Sequence, residues 1–208
     1  MLSFYVWSAY ILFIIIDILS LGITISNKIK YSIIVVLFLH SVISSFVKQN
    51  KIHSQASLVT IALFFAVCAD YFFLFTKYSS IGILCFIAVQ YVYGNLLDLR
   101  IKEKEKLISY NRIFLFLFFQ TILFALFPKQ FLYIVAGEYA CFLLRNMFVS
   151  WHHKKKTGPF LPLAITLLFL CDCNVMLSNV TDYTIFGKII WIFYVPSQFI
   201  LEKYVKIW

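Results

Sequence analysis

ALFFAVCADYFFLF (62–75) and LAITLLFLCDCNVML (163–177) are two apolar runs, each interrupted by one aspartate. The first run holds Asp70 and the second holds Asp172. A carboxylate at the centre of a membrane-spanning helix costs about 2.5–3.5 kcal/mol on insertion scales, so such residues usually line a polar cavity or form a buried pair. The alternative interpretation is that each aspartate makes a hydrogen bond that packs two helices together.

The composition is typical of a membrane protein and not of a soluble domain. Of the 208 residues, 62% are hydrophobic and 13% are charged, whereas soluble domains contain about 45–50% apolar and about 25% charged residues. A spanning helix needs about 20 mostly apolar residues. The sequence therefore predicts an all-α polytopic membrane protein, a single domain (1–208) formed by a bundle of eight transmembrane helices. The predicted spans are 4–25, 31–47, 56–75, 81–97, 111–127, 131–150, 160–178 and 186–203.

The distribution of Lys and Arg predicts the orientation of the chain. With eight spans, both termini lie on the same side of the membrane as the second, fourth and sixth loops. Of the 18 Lys and Arg residues, twelve lie on that side, five lie on the opposite side, and Arg145 lies within a span. Cytoplasmic loops are the ones enriched in these residues, so both termini are expected in the cytoplasm. This rule and attraction to anionic lipid explain the net charge of +9, and no nucleic-acid partner is expected. The expected location is a multi-pass integral protein of the cell membrane in a bacterium, or of the endoplasmic reticulum in a eukaryote.

Six polar side chains fall at one predicted depth. At a rise of about 1.5 Å per residue, they lie within a slab about 5 Å thick, slightly outside the midplane. Polar groups on separate spans are expected to converge, because a polar group without a partner is expensive in lipid. The six residues are Asp17, Asp70, Gln90, Glu138, Asp172 and Tyr194. Tyr93 and Gln198 continue the faces of Gln90 and Tyr194 by one helical turn.

Several common catalytic motifs do not occur in the sequence. It contains no HExxH helix, no Walker loop, no GxSxG elbow and no Ser with a His or Lys at the same depth. Neither a metal nor another cofactor is therefore expected, and the five cysteines, all within predicted spans, are expected to be unpaired thiols. Two aspartates close together in a low-dielectric site cannot both ionise easily, so the pair supplies an acid and a base. Arg145 is expected to reach the cytoplasmic interface in a structural role.

One segment resembles the YhhN-like integral membrane proteins, the lysoplasmalogenase family. It is VCADYFFLFTKYSSIGILCFIAVQYVYGNLL (67–97), in which Ala69-Asp70 is followed after about twenty residues by Gln90-x-x-Tyr93. The family typically has a small residue and Asp at the end of one span, and then a His-x-x-Tyr motif. The spacing of the two motifs agrees with that pattern.

Two later segments extend the resemblance. LLFLCDCNVMLS (167–178) is similar to the family's Ser-Asp segment, with Cys171 in the serine's place before Asp172. FYVPSQFI (193–200) is similar to the closing Tyr-Tyr-x-x-Gln pattern, which points to Tyr194 and Gln198. The order of the motifs and the predicted number of spans also agree, and the resemblance covers roughly 56–97 and 160–203.

The resemblance implies hydrolysis of the vinyl (alkenyl) ether bond of a lysophospholipid, a lysoplasmalogen, to a fatty aldehyde and a glycerophospho-alcohol. One protonated aspartate would give its proton to the vinyl β-carbon. The other, ionised, would stabilise the oxocarbenium ion and direct water to the α-carbon. The resemblance assigns these roles to Asp70 and Asp172 without deciding which is the acid. It assigns contacts with the water and with the polar end of the lipid to Gln90, Tyr93, Tyr194 and Gln198.

Two positions depart from the family pattern and leave alternatives open. Gln90 stands where the family has His, and a neutral amide cannot carry protons as imidazole does. Lys30 is followed by Tyr31, whereas the family usually has Lys-Pro. The alternatives are a non-catalytic member of the same fold, a hydrolase for another ether or ester lysolipid, or a lipid-binding or transport protein. A transporter would show inverted repeats and broken spans, and only Pro196 plainly breaks a span here.

Overall fold

The computed structural model describes residues 2–47, 53–101, 131–180 and 184–207. Within these ranges the regular elements are all α-helices, which confirms the predicted all-α class. The predicted fifth span, 111–127, lies outside the described residues. Each of the other predicted spans lies mostly within one long helix.

Eight helices follow one another in the described part of the chain. They are α1 (Leu2–Ile18), α2 (Ile23–Val47), α3 (His53–Phe75), α4 (Ser79–Ile101), α5 (Phe131–His152), α6 (Lys154–Thr157), α7 (Phe160–Val180) and α8 (Thr184–Ile207). By length and composition, four of these helices, α2, α3, α4 and α7, are apolar enough to cross a membrane. This finding indicates a membrane protein.

The first predicted span is wrong at its C-terminal end, because α1 ends at Ile18 and not at 25. Ser20 has a φ angle of 52° and Gly22 a φ angle of 154°, so the chain leaves the right-handed helical region at both residues. Glycine adopts such a conformation without a steric penalty.

Because α2 then begins at Ile23, Lys30 lies within this helix and not in an outer loop. Asp17 lies at the end of α1 and not in mid-span, so it is not part of the predicted polar layer.

Aromatic contacts give the relative direction of α1 and α8. The rings of Trp7 and Phe199 have centroids 5.4 Å apart, and those of Phe13 and Trp191 have centroids 6.4 Å apart. Residue numbers rise along one helix as they fall along the other, so the two helices run antiparallel. The start of α1 and the end of α8 therefore lie on the same side of the bundle.

Helices α4 and α5 run in the same direction. Phe86 contacts Tyr139 with ring centroids 6.0 Å apart. Further along both helices, the Asn146 amide donates a hydrogen bond of 2.8 Å to the backbone oxygen of Gln90. The end of α4 and the start of α5 consequently lie at opposite ends of the bundle.

Apolar side chains fill the centre of the bundle and also cover its outside. Fully buried examples come from several helices and include Phe13, Ile34, Leu63, Leu97, Ile165 and Val195. The most exposed large side chains on the outer surface are between 63% and 80% exposed, and they include Phe4, Ile43, Phe46, Tyr78, Phe148 and Met176. In water so much exposed apolar surface favours association, whereas lipid tails are as apolar as these side chains.

Helix α8 continues through Pro196, although the sequence predicts that this proline breaks the span. A proline has no N–H, so the carbonyl four residues earlier, that of Ile192, loses its helical donor. The hydroxyl of Tyr10 on α1 donates a hydrogen bond of 3.0 Å to this carbonyl oxygen. This hydrogen bond replaces the one that the proline removes. A replacement is needed because lipid offers no hydrogen-bond donors of its own.

Tyr10→Phe is expected to destabilise the protein by about 1–3 kcal/mol, because the Ile192 carbonyl then has no donor. The measurement is thermal unfolding in detergent. The control is the same change in a Pro196→Ala background, where the alanine N–H restores the helical bond and Tyr10→Phe should cost less. If Tyr10→Phe lowers the stability equally in the wild-type and the Pro196→Ala backgrounds, this role of Tyr10 is contradicted.

Candidate functional site

Asp70 lies on α3 and is almost completely buried, with 3% of its surface exposed. Its Oδ2 accepts a hydrogen bond of 2.9 Å from the hydroxyl of Tyr194 on α8. No cation pairs with this carboxyl in the part of the chain that the structure describes, whereas Asp17 is paired with Lys30 at 2.6 Å. A buried carboxylate without a counter-charge is costly, so Asp70 is not held as one half of a structural ion pair.

Asp172 on α7 has a similar arrangement with a different tyrosine. Its Oδ2 accepts a hydrogen bond of 2.5 Å from the hydroxyl of Tyr139 on α5, and the residue is partly exposed. Here too, no salt bridge to the carboxyl is found among the described residues. The two aspartates and their tyrosines therefore form two carboxyl–tyrosine pairs, built from four different helices.

One aromatic ring and one thiol connect the two carboxyl–tyrosine pairs. The ring of Phe86 on α4 has its centroid 6.0 Å from that of Tyr139 and 6.0 Å from that of Tyr194. The thiol of Cys171, which is buried, lies close enough to both Asp70 and Asp172 to interact with their charges. The two pairs are therefore neighbours around Phe86 and Cys171.

Tyr93 and Gln198 lie on the Asp70 side of the site. Both residues are buried, the Gln198 side chain faces the Tyr93 hydroxyl, and Tyr93 also lies near Tyr194. Among the described residues, neither the Tyr93 hydroxyl nor the Gln198 amide makes a hydrogen bond of normal geometry. Buried polar atoms are nearly always hydrogen-bonded, so these atoms are suited to contact a polar group of a ligand.

Gln90 lies on the Asp172 side of the site, fully buried and facing the Tyr139 hydroxyl. The Nδ2 of Asn146 donates hydrogen bonds to the backbone oxygen of Gln90 at 2.8 Å and to its Oε1 at 3.1 Å. The Nε2 of Gln90 has no hydrogen-bond acceptor within the described ranges. Asn146 thus holds the oxygen end of the Gln90 amide, which leaves its nitrogen as a donor.

The six site residues predicted from the sequence all belong to this group: Asp70, Gln90, Tyr93, Asp172, Tyr194 and Gln198. Sequence reasoning missed Tyr139 and Asn146, which are seven residues apart on one face of α5, and Phe86, which lies one turn before Gln90. Polar or aromatic residues spaced by one or two helical turns on one face are the sequence signal that could have identified these three residues. The prediction instead placed Glu138 in the polar layer, and this residue makes no hydrogen bond to either aspartate in the described structure.

A narrow cleft lies between α4 and α5, next to Gln90. Its lining includes Gln90, Gly94, Asp98, Arg145 and Asn146. Neither Asp70 nor Asp172 lines it, so the cleft approaches the two carboxyl–tyrosine pairs through Gln90.

The site offers carboxyl, hydroxyl and amide groups, which suit proton transfer and the binding of polar ligands. Within residues 2–47, 53–101, 131–180 and 184–207, no three His, Cys, Asp or Glu side chains cluster as metal ligands would.

Comparison with known proteins found no matching family model, no matching curated protein and no matching solved structure.

Proposed function

We propose that the protein is an intramembrane lipid hydrolase that cleaves the vinyl ether bond of a lysoplasmalogen, with Asp70 and Asp172 as its acid and base. The observation that carries this proposal is that, within the described part of the chain, each of the two carboxyls is held by a tyrosine hydroxyl and not by a cation. Around them, Gln90, Tyr93 and Gln198 present buried polar atoms without normal partners among the described residues. Side chains that served only to pack helices would have their polar atoms satisfied.

The reaction needs one proton donor and one negative charge, and the two carboxyls supply both. The protonated carboxyl gives its proton to the β-carbon, and the π electrons of the double bond form the new C–H bond. The ionised carboxylate stabilises the resulting oxocarbenium ion and takes a proton from the water that attacks the α-carbon. In the hemiacetal, the first carboxyl, now ionised, takes the hydroxyl proton, and the second, now protonated, gives its proton to the departing ether oxygen. The C–O bond breaks, the aldehyde and the glycerophospho-alcohol are released, and both carboxyls return to their starting states. Water is the only other substrate.

The resemblance to the YhhN-like family supports this proposal. Asp70, Tyr93, Tyr194 and Gln198 belong to motifs that are far apart in sequence, and they lie together in the structure. Gln90, at the family's His position, is held by Asn146, and its Nε2 has no hydrogen-bond acceptor among the described residues. We infer that Gln90 binds water or lipid oxygen and does not transfer protons, because an amide does not titrate near neutral pH.

The experiment is to incubate the purified protein with 1-O-alkenyl, 1-O-alkyl and 1-acyl lysophospholipids and to detect products by mass spectrometry. Fatty aldehyde is expected from the alkenyl lipid alone. The alkyl ether is the matched control, since it has no double bond to accept the proton. Fatty acid released from the acyl lipid would identify an ester hydrolase instead, and binding without any product would favour the non-catalytic alternative.

We also propose that the chain crosses the membrane eight times, with both termini in the cytoplasm. The start of α1 and the end of α8 lie on one side of the bundle. The end of α4 and the start of α5 lie at opposite ends, as a crossing by the predicted span 111–127 requires. Together with the asymmetry of Lys and Arg, this supports a multi-pass protein of the cell membrane or endoplasmic reticulum.

Single cysteines in place of Lys77 and Lys154 test the proposed topology. Lys77 lies before α4, and Lys154 lies just after α5. Because α4 and α5 run parallel, a membrane-impermeant maleimide should reach the two positions from opposite sides of the membrane. Labelling of both from the same side would refute the arrangement.

A further inference from the structure

Tyr93 on α4 and Gln198 on α8 hold polar atoms that the two side chains cannot satisfy between themselves. The Tyr93 hydroxyl and both the Nε2 and the Oε1 of Gln198 are buried and make no hydrogen bond of normal geometry within the described ranges. The Gln198 side chain faces the hydroxyl. If its amide nitrogen turned to donate to that hydroxyl, the phenolic hydrogen and the amide oxygen would each still lack a partner. The two side chains therefore need a third group that both accepts and donates a hydrogen bond.

This unsatisfied position lies beside the Asp70–Tyr194 pair. Tyr194 and Gln198 are one turn apart on the same face of α8, and the Tyr194 hydroxyl donates to Asp70 at 2.9 Å. Tyr93 also lies near Tyr194. A water molecule meets the requirement for a third group, because a buried water typically makes about three hydrogen bonds to polar groups that would otherwise have none.

The Asp172 side of the site offers a different set of atoms. In the part of the chain that the structure describes, the buried atom without a partner there is Nε2 of Gln90, a donor, since Asn146 already bonds the amide oxygen. A lone donor suits an oxygen of the lipid, which accepts a hydrogen bond without donating one, whereas a water also needs acceptors. The mixed donors and acceptors of Tyr93 and Gln198 therefore favour water on the Asp70 side.

The two aspartates also differ in their access from the membrane. Asp172 is partly exposed, and Met176, one turn further on the same face of α7, is exposed on the outside of the bundle. Asp70 is only 3% exposed. A lipid chain that enters from the membrane therefore reaches Asp172 before Asp70. In an alkenyl ether the β-carbon lies on the chain side of the α-carbon, so the carboxyl nearer the entering chain is the one placed to protonate it.

We propose that Tyr93 and Gln198 bind the hydrolytic water beside Asp70, so that Asp70 is the base and Asp172 is the acid of the proposed reaction. Asp172 gives its proton to the β-carbon. Asp70 stabilises the oxocarbenium ion and takes a proton from the water, whose oxygen forms the new bond to the α-carbon. The assignment of acid and base rests on the proposed function, whereas the water site rests on the unsatisfied atoms of Tyr93 and Gln198.

The first test detects the water without any substrate. Hydroxyl radicals formed from bound water by a brief X-ray pulse oxidise the side chains next to it, and mass spectrometry locates the oxidised residues. Tyr93 should be oxidised more than Phe13, a ring that is equally buried on α1. In Gln198→Met, which has no amide to hold the water, oxidation of Tyr93 should fall to the level of Phe13. Oxidation of Tyr93 no greater than that of Phe13 in the wild type would overturn the water site.

The second test separates binding of water from helix packing. Gln198→Met and Tyr93→Phe remove polar atoms that lack normal partners, so the thermal unfolding midpoint should stay the same or rise. Each variant should release aldehyde about 10- to 100-fold more slowly, because the water is no longer positioned, with little change in KM. Gln55→Met, at the partly exposed start of α3, is the matched control and should change neither quantity. A lower midpoint with unchanged release of aldehyde would identify a packing role and overturn the proposal.

The third test assigns the acid and the base. In Asp70→Ala the remaining acid, Asp172, still protonates the β-carbon, so added azide should attack the α-carbon, form an α-azido ether and restore part of the about 100-fold loss of lipid consumption. Asp172→Ala has no acid to form the oxocarbenium ion, so azide should restore nothing. Restoration in Asp172→Ala, or in neither variant, would overturn the assignment.

The outcomes separate this proposal from the proposed hydrolysis. Oxidation of Tyr93 that depends on Gln198 would support the water site even if the wild type releases no aldehyde. Release of aldehyde by a wild type in which Tyr93 is not oxidised would overturn the water site and leave the hydrolysis standing.

Discussion

Asp70→Asn and Asp172→Asn are each expected to lower the release of aldehyde at least about 100-fold, the contribution typical of one positioned acid or base. An amide can neither donate a carboxylic proton nor carry the charge that stabilises an oxocarbenium ion. Each asparagine can still accept a hydrogen bond from Tyr194 or Tyr139 through its amide oxygen. The variants should therefore remain folded and extractable, and the measurement is aldehyde released from alkenyl lysolipid per mole of folded protein.

Three control variants separate catalysis from packing. Glu138→Gln makes the same chemical change one residue from Tyr139 but outside the two carboxyl–tyrosine pairs, so activity should persist. Tyr194→Phe and Tyr139→Phe remove one hydroxyl donor each while leaving the carboxyls, so they should lose less activity than the asparagine variants. Full activity in both asparagine variants would refute the proposed acid–base mechanism.

Lys30→Met is expected to destabilise the protein by about 3–5 kcal/mol, because it leaves the Asp17 carboxylate buried without its partner. The Lys30 Nζ lies 2.6 Å from Oδ2 of Asp17, and the two side chains are only 8% and 11% exposed. The hydroxyl of Ser26 donates a second hydrogen bond to this carboxylate, and the Lys30 ammonium also lies 5.6 Å from the ring centroid of Trp191. The measurement is the thermal unfolding midpoint in detergent.

Lys28 provides the matched control for the change at Lys30. It lies two residues earlier on α2 and is exposed, so Lys28→Met should leave the unfolding midpoint nearly unchanged. Adding Asp17→Leu to Lys30→Met removes the unpaired charge and should recover much of the loss. If the double variant is no more stable than Lys30→Met alone, the destabilisation has another cause.

Composition and local sequence were sufficient to predict the all-α class and the membrane character. They were also sufficient to single out Asp70 and Asp172, because a carboxylate inside an apolar run is costly whatever the run packs against. The end of α1 was not predictable in this way. Hydropathy continues without interruption through 18–25, whereas the helix ends where Ser20 and Gly22 adopt positive φ angles.

The partners of the polar groups were decided by the tertiary structure. Tyr139 binds Asp172 from 33 positions away, and Asn146 binds Gln90 from 56 positions away. The Tyr10 hydroxyl compensates for Pro196 from the opposite end of the chain by binding the carbonyl of Ile192. Apolar faces of spanning helices are equally compatible with lipid and with one another, so hydropathy does not specify which helices become neighbours. Close packing and hydrogen bonds between helices select the neighbours, and only then does each polar group have a defined partner.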